Sequence, residues 1–151
     1  MAKTNIERFD EMSADILAFL YDSFPIHKRV SPEVAGLSVV KYGEYDPDKG
    51  LAEKVSGEED PETEFFYSTL EWLAEAGFIT PKPSRGGPRR YVLTSFGLQA
   101  LKHVPKPTLG TETLGEKLST ATKSGARHAA SEALNQALSI GVQLITKHVG
   151  L

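Results

Sequence analysis

Residues 65–101, FFYSTLEWLAEAGFITPKPSRGGPRRYVLTSFGLQAL, decide the fold that the sequence predicts. Phe66, Leu70 and Leu73 recur at the spacing of one face of an α-helix, and the glycine that ends AEAG readily terminates a helix. Two short apolar runs follow, separated by residues 81–88, which are rich in proline and glycine and typical of an exposed loop. The stretch therefore predicts a helix, a two-stranded β-hairpin and the start of another helix.

The residues before this stretch predict two further helices. Thr4 and Glu7 have the spacing of a capping box, which predicts a helix over residues 4–24 that ends at a Phe-Pro pair. A serine followed by a proline is a second start signal, and it predicts a short helix over residues 31–36 that a glycine ends.

Residues 38–60 give weaker signals. We expect a short strand over residues 38–42, a turn over residues 46–50 and one helical turn over residues 51–55. The long helix of the central stretch is expected to begin at Asp60, as N-cap before a proline, and to end near residue 76.

The C-terminal part is predicted to be helical as well. A helix is expected over residues 94–103, followed by a proline-containing linker over residues 105–112. A capping box then opens an amphipathic helix over residues 113–149.

Small residues recur every fourth position along this last helix, beside a mostly apolar row, so another helix can approach it closely. Its partner is a second chain, the body of its own domain or a membrane surface. The first alternative predicts a homodimer whose interface contains Leu118, Gly125, Ala129, Ala133, Ala137, Leu138 and Gly141.

Composition excludes several classes of protein. The 151 residues include no cysteine, which excludes disulfides and thiolate chemistry and fits a cytoplasmic location. No apolar run is long enough for a transmembrane segment, and the N-terminus has no signal-peptide core. The net charge is only −3, but acidic residues dominate residues 44–75 and basic residues dominate residues 81–106.

The order of these elements resembles the winged helix-turn-helix domain of bacterial transcription regulators. The matching segments are FFYSTLEWLAEAGFI, the basic hairpin PKPSRGGPRR and the segment YVLTSFGLQAL. The resemblance implies a mainly α fold with a small β-hairpin, in which a winged-helix domain over residues 4–104 precedes the C-terminal helix. It also implies that the third helix enters the DNA major groove and that the hairpin, or wing, lies along the backbone.

The expected DNA contacts come mainly from the wing. Carboxylates on the outer face of the third helix repel phosphates, which argues against ordinary reading of bases by that helix. The wing offers phosphate contacts and the helix offers two polar side chains, so the candidate DNA-binding residues are Lys82, Arg85, Arg89, Arg90, Tyr67 and Ser68.

A second interpretation is a protein-interaction module that uses the acidic third helix and the small-residue helix without binding DNA. Neither interpretation is enzymatic. The histidines lack the spacing of metal ligands, and no serine has a visible partner base. The sequence therefore predicts no catalytic residue, no metal and no cofactor, and its candidate partners are DNA, a second copy of the chain and another protein.

Overall fold

The computed structural model describes residues 3–82, 89–105 and 110–148, without the side chains of residues 53–55. The described chain is mainly helical, with small antiparallel sheets and a long C-terminal helix. In chain order its elements are α1 (Asn5–Ser23), β1 (Lys28–Arg29), a 3-10 helix (Pro32–Ala35), β2 (Lys41–Asp46), β3 (Leu51–Ser56), α2 (Thr63–Glu75), β4 (Ile79–Lys82), β5 (Arg90–Leu93), α3 (Ser95–Lys102), α4 (Leu114–Ser124) and α5 (Arg127–His148).

The helix and hairpin of the central stretch are confirmed. Phe66, Leu70 and Leu73 of α2 are almost completely buried, so the helical stripe faces the core. Strands β4 and β5 pair antiparallel, and the two-residue strand β1, which the sequence did not predict, adds to the outer edge of β5. The resulting sheet has the order β1-β5-β4.

Helix α2 begins slightly later than expected. The Asp60 carboxylate accepts a hydrogen bond from the backbone N–H of Glu62 at 2.9 Å, and the helix proper starts at Thr63. Asp60 therefore shapes the turn that leads into the helix rather than capping it.

A second hairpin replaces the helical turn that was expected over residues 51–55. The turn over residues 47–50 is present, and Gly50 adopts the left-handed conformation there with φ of 72°. The turn reverses the chain direction, so residues 51–56 pair with β2 as a strand and do not form a helical turn. The strand expected over residues 38–42 begins only at Lys41 and extends to Asp46. The sequence analysis therefore did not identify the strand with which β3 pairs.

The C-terminal helix expected over residues 113–149 is two helices, α4 and α5. Gly125 ends α4 in the left-handed conformation, with φ of 76°, and its N–H binds the carbonyl of Ala121. Both helices pack against α1, and α5 also packs against α3. They belong to the same hydrophobic core as the hairpin and α2.

This packing identifies what the small residues contact. Leu118, Ala133, Ala137 and Gly141 are buried within the chain itself, and Leu138 packs against the core. Gly125 and Ala129 are the exposed members of the predicted homodimer interface. Of the partners that the sequence left open, the body of the same chain is the one in contact with this row.

Phe78, which links α2 to β4, shows why Gly141 of α5 and Gly97 of α3 are glycines. Its side chain is buried, and a Cβ atom on Gly141 of α5 would clash with its ring. A Cβ atom on Gly97 of α3 would clash with its carbonyl oxygen. Both helices can approach this turn only because these positions have no side chain.

We predict that Gly141→Ala destabilises the protein although alanine favours helices. The clash with the buried Phe78 ring should cost about 1–3 kcal/mol, which exceeds the gain of about 1 kcal/mol in helix propensity. Urea denaturation measures the net change in the free energy of unfolding. Ser139→Ala, at an exposed position of α5, is the matched control and should not destabilise; a Gly141→Ala protein as stable as the wild type would contradict the packing argument.

Asp15 lies where α1 meets the start of α5. Its side chain is only 17% exposed, and its nearest cation is Arg127, at 4.0 Å. Burial raises the pKa of Asp15 from 3.8 to about 6; Arg127 opposes this rise and Glu11 adds to it. The folded state therefore holds a proton on Asp15 more tightly than the unfolded state does.

We predict that Asp15 makes the folded protein less stable as the pH rises. The stability that protonated Asp15 contributes to the folded state is fully present below about pH 4. It is lost as the pH passes through 6, because the folded state then holds an ionised, poorly solvated carboxylate. Relative to the wild type, Asp15→Asn should gain on the order of 2 kcal/mol between pH 4 and pH 7. Urea titrations across this range test it, and Arg127→Ala should move the transition to higher pH; parallel curves for wild type and Asp15→Asn would contradict it.

Candidate nucleic-acid interface

The structure places most of the predicted DNA-binding residues on the surface. Lys82 at the end of β4 and Arg90 at the start of β5 are exposed, and Arg89 is exposed beside them. Tyr67 and Ser68 are exposed on α2. Arg85 lies outside the described residues, so its predicted role stays a prediction.

Three cations form a row across the β1-β5-β4 sheet. Arg29 of β1 is paired with Arg90 of β5, and Arg90 is paired with Lys82 of β4. Directly paired residues point to the same face of a sheet, with Cβ atoms about 5 Å apart. Tyr91 and Leu93, on the opposite face, belong to the core, so this basic row faces away from it.

The cations of the basic row have no counter-charge among the side chains that the structure describes. Like charges directly opposite in a sheet are destabilising, by roughly 0.2–1 kcal/mol per pair. A row of this kind favours binding of an external anion, and phosphates along a polynucleotide have a repeating negative charge that matches it.

The basic row leads into a groove of about 800 Å³ between the β2-β3 hairpin, the 3-10 helix and α2. Arg29, the end of the row, lines this groove together with Lys41 and Tyr42 of β2 and Tyr67 of α2. The Tyr67 ring packs edge-to-face on the buried Phe66 ring at 5.5 Å, which fixes its position. Arg29, which the sequence analysis did not single out, thus connects Tyr67 of the predicted site with the β4-β5 hairpin.

The rest of the exposed face of α2 is acidic. Glu64, Glu71 and Glu75 are exposed, and none forms an ion pair with a side chain in the described parts of the chain. Trp72 is 45% exposed on the flank of the helix and packs edge-to-face on Phe9. This surface opposes insertion of α2 into the major groove, because it would face phosphates with carboxylates.

Sequence reasoning missed Arg29 and Lys41. β1 has only two residues, and their pairing with β5 depends on contacts between residues far apart in the chain. The adjacent cations Lys28 and Arg29, between Ile26 and Val30, were the local signal available. Lys41 was assigned to a short strand, but its place in the groove that Tyr67 also lines follows from the hairpin that was not predicted.

Comparison of the chain with protein-family models, with curated proteins and with solved structures finds no match. Among the described residues, no group of histidine, aspartate and glutamate side chains is placed to hold a metal ion. Over the same residues, no helix has the length and apolar character needed to cross a membrane.

Proposed function

We propose that this chain is a non-catalytic winged-helix module of a transcription regulator, which contacts the DNA backbone through its basic wing. The order of helices and strands supports the winged-helix assignment, because α1, the 3-10 helix and α2 precede the β4-β5 hairpin and α3 follows it. In this proposal α2 is the third helical element of the winged helix and β4 with β5 is the wing.

The basic row is the single observation that most supports binding of DNA. Arg29, Lys82 and Arg90 point to one face of the sheet and are exposed. None of them has a counter-charge among the described side chains. Phosphate contacts of this type position a protein on DNA without reading its sequence. The acidic face of α2 remains outside the major groove, so the module binds duplex DNA with little sequence preference.

We predict that removing the basic row lowers both the affinity for duplex DNA and its salt dependence. Fluorescence anisotropy with a labelled duplex of mixed sequence, measured over a salt series, should give a linear fall of log affinity with log salt for the wild type. The triple variant Arg29→Ala, Lys82→Ala, Arg90→Ala should bind more weakly, and its slope should be shallower by about 0.9 for each phosphate contact removed.

Lys147→Ala, which removes an exposed cation in the last turn of α5, is the matched control. It changes the net charge of the chain but lies outside the row, so its slope should stay close to that of the wild type. An unchanged slope in the triple variant would exclude the wing as the contact surface. Absence of duplex binding by the wild type at low salt would exclude the proposed function.

The acidic face of α2 favours a second candidate, a module that binds another protein. Tyr67 and Trp72 are both nearly half exposed, and the neighbouring carboxylates form no ion pair with a side chain that the structure describes. Partly exposed aromatic side chains are typical anchors of protein interfaces. A basic protein segment would complement this face, and Trp72→Ala would weaken its binding without affecting a DNA complex formed through the wing.

A further inference from the structure

We infer that the groove between the β2-β3 hairpin and α2 binds unpaired bases of a single-stranded segment next to a duplex held by the basic row. This inference rests on the proposed function, because the row supplies the neighbouring duplex contact. It adds a substrate class, the junction between double-stranded and single-stranded DNA, which neither the resemblance nor the row alone implies.

The two tyrosines of the groove are the first step of the argument. Tyr42 is 64% exposed on β2, and Tyr67 is 46% exposed on α2. They line opposite elements of the same groove, whose volume of about 800 Å³ lies within the range of ligand sites. Exposed tyrosine rings bind unpaired bases by stacking, which contributes roughly 1–3 kcal/mol per base.

The cations of the groove are the second step. Arg29 belongs both to the basic row and to the lining of the groove, and Lys41 lines the groove beside Tyr42. Neither forms an ion pair with a side chain in the part of the chain that the structure describes. The phosphates of one strand can therefore continue from the sheet past Arg29 to Lys41, a combination of cations and aromatic rings typical of single-strand binding.

Two carboxylates, those of Glu33 and Glu59, also line the groove. They disfavour a phosphate in their immediate neighbourhood, but carboxylates accept hydrogen bonds from the exocyclic amines of bases. An unpaired base can turn into the groove and offer both N–H groups of its amine, whereas a paired base uses one of them in pairing and holds the other within the major groove. The charges of the groove thus favour bases inside it and phosphates at its basic end.

A duplex without an unpaired segment is not expected to bind in this groove. Its bases are stacked and paired, and the acidic face of α2 next to Tyr67 repels its backbone. An unpaired strand is narrow and its bases are free to turn toward the tyrosines. This difference between the two forms of DNA is what the experiment measures.

We predict that an unpaired overhang strengthens binding and that the tyrosines of the groove are responsible. Fluorescence anisotropy compares a blunt duplex with the same duplex bearing a short 5′ or 3′ overhang, at one salt concentration. The wild type should bind one of the overhang duplexes about tenfold more tightly than the blunt duplex. Tyr42→Ala should lose this advantage and keep the affinity for the blunt duplex, whereas Tyr42→Phe should keep both. Tyr67→Ala should lose the advantage of the overhang as well.

Tyr45→Ala is the matched control, because Tyr45 is 65% exposed on the same strand but does not line the groove. It should retain the advantage of the overhang. A 2-aminopurine base in the overhang should lose fluorescence on binding to the wild type through stacking, and not on binding to Tyr42→Ala.

Each contrary result has a distinct meaning. Equal affinities of the wild type for the blunt duplex and both overhang duplexes would overturn the inference and leave the proposed function standing. Failure to bind any of the duplexes would overturn both. A lysine-rich peptide that binds the wild type but not Tyr42→Ala, with no effect of an overhang, would overturn the inference in favour of a protein segment in the groove.

Discussion

The close packing around Phe78 is the constraint on which the rest of the structure depends. This buried residue joins α2 to the first strand of the β4-β5 hairpin, and it fits only because α3 and α5 each present a glycine to it. Interiors of proteins are packed as densely as organic crystals, so a close contact in the core fixes the relative positions of the elements that make it. The β4-β5 hairpin is therefore oriented relative to α2 by the same residue that α3 and α5 pack against.

The C-terminal helices pack into the same core as the rest of the described chain. Both α4 and α5 lie against α1, and the hydroxyl of Ser119 on α4 donates a hydrogen bond to the Asp22 carboxylate at 2.8 Å. Their buried row of small and apolar residues belongs to the single core. The surface combines a sheet face with exposed cations and a helix face with exposed carboxylates, and neither set forms ion pairs within the described part of the chain. The proposed DNA contact follows from that contrast.

The sequence predicted the elements whose signals are local. The stripe of Phe66, Leu70 and Leu73 identified α2, and a loop rich in proline and glycine identified the β4-β5 hairpin. Thr4, Thr94 and Thr113 each accept a hydrogen bond from the backbone N–H three residues later, so three helix starts were also predictable. Caps and periodicity depend on neighbours in the chain, and a sequence displays them directly.

Features that depend on distant residues were missed or wrong. Strand β1 is too short to have a pattern, and it is a strand only because β5 lies beside it. The row of three cations depends on that pairing, so it could not be predicted from the residues of β4 and β5 alone. Gly125 was assigned to a regular spacing of small residues, although a lysine in the preceding turn and a glycine after it are also the signature of a helix end.

The β2-β3 hairpin is a further consequence of the way the core is assembled. None of its described side chains belongs to the core, and two strands alone are only marginally stable in water. Its backbone hydrogen bonds can therefore open without unfolding of the helices, and its amide protons should exchange with solvent far faster than those of α1 or α2. A ligand held between this hairpin and α2 would slow that exchange locally and leave the cooperative unfolding of the core unchanged.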